Sequence, residues 1–274
     1  MPNTPIRCFD GNAQPYEPFW NFVEAEKSES GQAELELNGV ISEYSWMGDE
    51  ITPKKFKDDL YRVGQGKAVL LKVNSPGGDV IAASRMRVIL TEYPGPITAR
   101  VDGIAASAAV AVVMAASRVK IMDSAYMMIH DPSVMVFLAQ LNIETLGKLR
   151  DDLKSIKDGI VPVYAERTGM TQEKISRLMA DETWMSAQQA VDYGFADEIV
   201  TGGQQKVQNV AYVNCLHTYA HVPPAVMQAF QPSDIPPAQV AAEAPALRSD
   251  PAAAEFQRKA QSLRDRVNQI LQKE

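Results

Sequence analysis

The sequence predicts an α/β fold, and three patterns predict it. Short aliphatic runs of strand character recur at 34–41, 68–73, 97–101, 118–122 and 126–130. Stretches with helical spacing or helix-forming small residues separate several of them. Further on, Leu146, Leu149, Leu153, Ile156, Ile160 and Val163 fall at intervals of 3, 4, 3, 4 and 3, one face of a long helix. Strands alternating with helices bury a sheet beneath helices.

Taken in order, residues 1–32 read as an irregular polar arm with one short strand and an aromatic cluster, Phe19, Trp20 and Phe22. Glu34-Leu35-Glu36-Leu37 alternates as a half-buried strand does. Thr52 and Pro53 suit an N-cap and first turn, and Phe56 and Leu60 give the helix its apolar side. The run 68–73 reads as a buried strand ended by Asn74-Ser75-Pro76-Gly77-Gly78-Asp79, with a helix over 80–92. A strand at 97–101 leads into a small-residue helix. Helices are expected at 172–179 and 187–193, the latter stopped by Gly194. The main domain is expected to span 33–220. A Pro/Ala-rich linker follows over 221–250, then an amphipathic helix over 251–274 with Phe256, Ala260, Leu263, Val267 and Ile270 on one face.

Composition narrows the function. The chain has 274 residues, 46% of them hydrophobic, enough for one sizeable core with appendages. A net charge of −7, with no basic block, argues against nucleic acid as a partner. The longest apolar stretch, near 104–116, is too short for a membrane span, and no leader-like pattern opens the chain. Cys8 and Cys215 lie far apart without metal-ligand spacing, so free thiols in a cytoplasmic setting are expected. Neither a metal constellation nor a cofactor motif is present.

The chemistry concentrates around Gly103-Ile104-Ala105-Ala106-Ser107-Ala108-Ala109. A nucleophilic serine needs space for a carbonyl group and for the N–H groups that stabilise its oxyanion, and small neighbours provide it. The commoner role of such a serine is to cap a helix. His130 follows 23 positions later, at the end of a strand-like run. A lone histidine there is ordinarily a core residue, but of the three histidines it alone shares the core region with Ser107. His217 and His221 read as solvated. The Asn74–Asp79 stretch is a strand-ending turn, a phosphate loop lacking its lysine, or a backbone donor site. In the last case Gly77 offers an N–H, and Ala108, at a helix start, offers another. An acid to hold the imidazole would be Asp181 or Glu182, whose commoner role is to cap a helix.

Together these segments resemble the Clp protease proteolytic subunit family. The resemblance is carried by Asn74-Ser75-Pro76-Gly77-Gly78, Gly103 to Ala108, Met128-Ile129-His130-Asp131-Pro132, and Trp184-Met185-Ser186-Ala187 through Ala190 to Asp197, in that order, over about 33–200. It implies a spiral of repeated ββα units, a fold shared with crotonases, with a long handle helix over 146–163. It also implies a serine endopeptidase working inside a ring-shaped homo-oligomer on protein substrates. Ser107 becomes the nucleophile, His130 the base, and Gly77 and Ala108 the oxyanion donors. The family's acid position falls on Glu182, a glutamate in place of the usual aspartate, with Asp181 as the alternative. Ala108 replaces the usual methionine. The arm does not match the axial loop that meets a partner ATPase, which leaves use of an unfoldase open. Phe19-Trp20-Asn21-Phe22 and the Pro/Ala-rich tail resemble the phage head maturation branch, whose substrates would be capsid, scaffold or portal proteins in a host cytoplasm. Two alternatives are a crotonase-class acyl-CoA enzyme, which needs no serine–histidine pair, and a catalytically idle capsid-assembly scaffold.

Overall fold

The computed structural model describes residues 20–28, 30–42, 53–134, 141–202, 216 and 218–229. Eight strands form one sheet: β1 Trp20–Val23, β2 Ala33–Asn38, β3 Val69–Ser75, β4 Ile97–Ala106, β5 Arg118–Met122, β6 Tyr126–Ile129, β7 Thr183–Ser186 and β8 Glu198–Val200. The helices are α1 Pro53–Gly64, α2 Val80–Glu92, α3 Ala108–Val113, α4 Ile143–Thr168, α5 Gln172–Ala180, α6 Ala187–Asp192 and α7 Pro224–Ala229. The α/β class expected from the sequence is the one observed.

Strand order is β1-β2-β3-β4-β5-β8, with β6 and β7 branching from β4. The branch is what builds the site. β4 is ten residues long, and its first half pairs with β5 while its second half, Ile104 to Ala106, pairs with β6. The two pairings place the carboxyl ends of β4 and β6 side by side. In parallel α/β sheets, ligands bind beyond such strand ends.

Alternation explains the layers. Leu35, Leu37, Leu71, Val73, Ala99, Val101 and Ile121 are fully buried. The intervening positions carry charge in register: Glu36 lies opposite Lys72, Lys72 opposite Arg100, Arg100 opposite Lys120, and Lys120 opposite Glu198. Lys72 also sits 2.5 Å from the buried Glu34, and Lys120 sits 2.6 Å from Glu198. Lys72 is paired with Glu34 and Glu36, Arg100 with Asp102 on its own strand, and Lys120 with Glu198, so the cations that face one another across β3, β4 and β5 each have a carboxylate partner.

The arm holds the one short strand expected of it, whereas the predicted linker departs from expectation. Within the predicted arm, β1 pairs with β2 and buries Trp20 edge-on to Phe56 at 5.4 Å between ring centres. The arm is thus in part an edge strand of the sheet, held by aromatic packing that no local periodicity announces. The predicted linker begins instead with the α7 helix, whose Val226 is fully buried with Leu216, Ile104, Ala106 and Met128. Pro224 at the first turn starts a helix there rather than preventing one. Phe19, Thr52, Cys8, Cys215, His217 and the predicted helix over 251–274 lie outside the described residues.

Candidate active site

Ser107 sits where β4 turns into α3. Its N–H donates to the Met128 carbonyl at 2.8 Å, which ties the turn to β6. Its backbone takes φ 55° and ψ −124°, a strained region for a residue with a Cβ. Such a strand-to-helix turn lifts a serine hydroxyl clear of the sheet and puts it at a helix N-terminus. Ala105, Ala106, Ala108 and Ala109 are all buried, so the tight packing expected from the small residues is present.

His130 follows the end of β6, with its Nε2 at 2.7 Å from Ser107 Oγ. The backbone on both sides of His130 is held in place. β7 pairs antiparallel with β6, and the next residue, Asp131, donates its N–H to Met179 at 3.0 Å. The Asp131 carboxylate makes an ionic contact of 2.6 Å with Lys157 on α4. Burial pushes the His130 imidazole below its ordinary 6.5, against the opposing pull of the Glu182 and Asp131 carboxylates. Its neutral form, able to accept the serine proton, is therefore favoured near neutral pH.

The 74–79 loop is fixed by its own polar side chains. Asn74 Oδ1 accepts the Ile104 N–H at 3.2 Å, and Ser75 Oγ donates to the Gly39 carbonyl at 2.6 Å. A Cβ on Gly77 would lie 2.6 Å from the Ala106 carbonyl oxygen and 2.8 Å from Ser107 Cβ, at φ +95°. Only glycine lets the loop approach the serine this closely. The N–H of Gly77, expected as an oxyanion donor, has a partner within its own loop: it is given to Ser75 Oγ at 3.1 Å. Gly78 makes a parallel bridge with Ile41 in which the bonds run from Ile41 N–H to Gly77 and from Asp79 N–H to Ile41. That pattern leaves the N–H of Gly78 itself uncommitted among the described residues, and Gly78 lines the cleft. Ala108, first residue of α3, also keeps an N–H with no partner inside the helix.

Neither acid candidate is hydrogen-bonded to the imidazole among the described residues. Asp181 caps the C-terminus of α5 and is exposed. Glu182, at φ +47°, spends both carboxylate oxygens elsewhere. Its Oε2 accepts the Ala220 N–H at 2.9 Å, and its Oε1 accepts the His221 N–H at 2.7 Å and the Trp184 indole N–H at 3.2 Å. Partial burial pushes this carboxyl up, but the three donors outweigh it and hold it below its ordinary 4.5. Glu182 thus reaches His130 as a charge rather than as a hydrogen-bond partner. His221 is exposed, as expected.

Ser107 and His130 open onto a cleft of about 360 Å³. One wall is the α4 face, through Leu153, Ile156, Ile160 and Tyr164, and another is formed by Thr218 and Tyr219. Among the described residues no three His, Cys, Asp or Glu side chains converge as a metal site would require, and no helix is long and apolar enough to cross a membrane. Sequence reasoning missed Asn74 and Ser75 as scaffolding, although two polar residues next to a glycine pair were visible. It also missed Tyr219, which has no sequence signal because it comes from a distant segment.

A family model described as Clp protease matches residues 60–203, just over half of the chain. The ATP-dependent Clp protease proteolytic subunit 1 of Chlamydia abortus is 28% identical over 62% of this chain and 95% of its own length. That of Chlamydia muridarum is 31% identical over 49% of this chain and 71% of its own. A solved ClpP1 mutant from Listeria monocytogenes shares the fold, with a TM-score of 0.53 at 20% identity over 62% of this chain and 91% of that one. The matched span holds the serine turn, the histidine strand end and the glycine loop. The chain belongs to the Clp protease family.

Proposed function

We propose that the chain is a serine endopeptidase in which Ser107 is the nucleophile and His130 the general base. The observation that carries this reading is the 2.7 Å contact between Ser107 Oγ and His130 Nε2 at the mouth of a cleft, on a strained turn at a helix N-terminus. As Oγ attacks a peptide carbonyl, Nε2 takes its proton. The N–H groups of Ala108 and Gly78 receive the oxyanion. The imidazolium then protonates the leaving amine, and water releases the acyl group by the same steps in reverse. The nearby Glu182 and Asp131 charges favour the imidazolium as it forms. Crotonase-type chemistry needs no such serine–histidine pair, so the pair favours the peptidase.

The protein works as a homo-oligomeric ring that encloses its substrates. Ile143, Leu146, Leu141 and Val134, at and before the start of α4, are large, apolar and exposed, which supports contact with a second copy there. The physiological substrates are capsid, scaffold or portal proteins of an assembling phage head in a host cytoplasm. Support comes from the Phe19-Trp20-Asn21-Phe22 element and the Pro/Ala-rich stretch after the matched span. The test is a digest of phage capsid and scaffold proteins beside a small fluorogenic peptide, with new termini read by mass spectrometry. Cleavage of both is expected. Peptide turnover with intact head proteins would remove the head-maturation role, and no turnover of either would remove the peptidase.

A further inference from the structure

The residues after the matched span approach the site more closely than a tail would. Tyr219 meets the His130 ring edge to face, with 5.2 Å between centres and planes at 80°. Its hydroxyl donates to the carbonyl of Pro76, within the loop that carries Gly77 and Gly78. Trp184 is the other ring contact of Tyr219, at 6.0 Å between centres. The next two residues, Ala220 and His221, are pinned by the Glu182 carboxylate through their N–H groups. Leu216 and Val226 bury themselves against Ile104, Ala106 and Met128, the ends of β4 and β6.

We propose that this segment is a working part of the site: Tyr219 is a positioning residue that ties the His130 imidazole to the 76–78 loop, and Glu182 is the anchor that holds it there. The proposal rests on the reading of Ser107 and His130 as nucleophile and base. The physical reason is geometric. The base and the oxyanion loop belong to different strands, and one side chain touches both. A carboxylate that accepts two consecutive backbone N–H groups fixes the chain direction on either side of it, and therefore the ring that precedes them. In this arrangement Glu182 serves the imidazole indirectly, by placing Tyr219 against it.

The test uses the full chain, with three readouts: kcat and KM on a small peptide, the titration of His130 by NMR, and amide exchange at Ala220 and His221. Tyr219→Ala should lower kcat about tenfold or more with little change in KM, because displacement of a catalytic group by even an ångström is costly. It should also raise the His130 titration towards its ordinary value, since the ring loses cover. Tyr219→Phe keeps the ring and loses the Pro76 bond, so it should preserve the titration and lose part of kcat. It also decides the matter if the alanine variant does not fold. Glu182→Gln should lower kcat together with loss of amide protection at Ala220 and His221. A folded Tyr219→Ala with wild-type kcat and an unmoved His130 titration overturns the proposal. So does a Glu182→Gln that loses activity while those amides stay protected, which is the behaviour of an acid acting on the imidazole itself. If the wild type hydrolyses nothing, the peptidase reading fails, and the titration and exchange results still decide whether Tyr219 holds His130.

Discussion

At the scale of single residues, the site depends on groups that act as a unit. Ser107→Ala and His130→Ala should each lower peptide turnover by roughly 10⁴-fold or more, because nucleophile and base are useless apart. Steady-state kinetics on well-folded variants will check this, and a His130→Ala enzyme within tenfold of wild type would contradict it. Burial holds the His130 pKa below 6.5, so the imidazole stays neutral as pH falls to that lowered value and becomes charged only below it. The acid limb of the kcat/KM profile should therefore lie below the ordinary histidine range, and a limb above it would contradict the burial account. Gly77→Ala meets the Ala106 carbonyl and adds about 1–3 kcal/mol of backbone strain at positive φ. It should abolish activity and clearly lower the melting temperature, because the clash with backbone adds to the φ strain, measurable by calorimetry alongside turnover.

At the scale of elements, the branching of β4 does most to create the site, and it was only half legible. The strand at 97–101 and its helix were visible in composition. The continuation to Ala106 was not, because a run of glycine and alanine has no period that distinguishes strand from helix. The long α4 helix was plain from its 3-4 spacing, yet the same spacing could not say what its face meets. The part from Leu153 to Tyr164 lines the cleft, and only the beginning of the helix presents large apolar side chains outward. Ser107, His130 and Ala108 were read from local chemistry and come together. Gly77 was read as a donor because a sequence cannot show that Ser75 already takes its N–H. Glu182 was placed by motif position, and its real partners, Ala220 and His221, lie 38 and 39 residues away. Helix α7 was missed because prolines suggested a linker, whereas tertiary burial of Val226 selects a helix. Ending the chain after 231 should leave peptide turnover and melting temperature unchanged. Leu216→Ala, in contrast, should cost about 2–5 kcal/mol through the cavity it leaves. Equal melting temperatures for Leu216→Ala and wild type would show that the segment does not pack on the strand ends.

At the scale of the whole molecule, the large exposed apolar residues Ile143 and Leu146 lie at the start of α4, ahead of the Leu153–Tyr164 stretch that lines the cleft. If the proposed ring uses this patch, charges at Ile143 and Leu146 should give smaller species than the wild type while leaving the fold intact, as judged by light scattering and circular dichroism. An unchanged mass for the folded double variant would locate the copy-to-copy contact elsewhere. The central claim is narrower than the assembly: one serine, activated by one histidine, performs acyl transfer in this cleft. Its most direct test is labelling of the full chain with a fluorophosphonate, followed by mapping of the modified peptide. The account predicts a single adduct on Ser107, absent in Ser107→Ala and formed far more slowly in His130→Ala. An adduct on another residue, or labelling at an undiminished rate without His130, would contradict it.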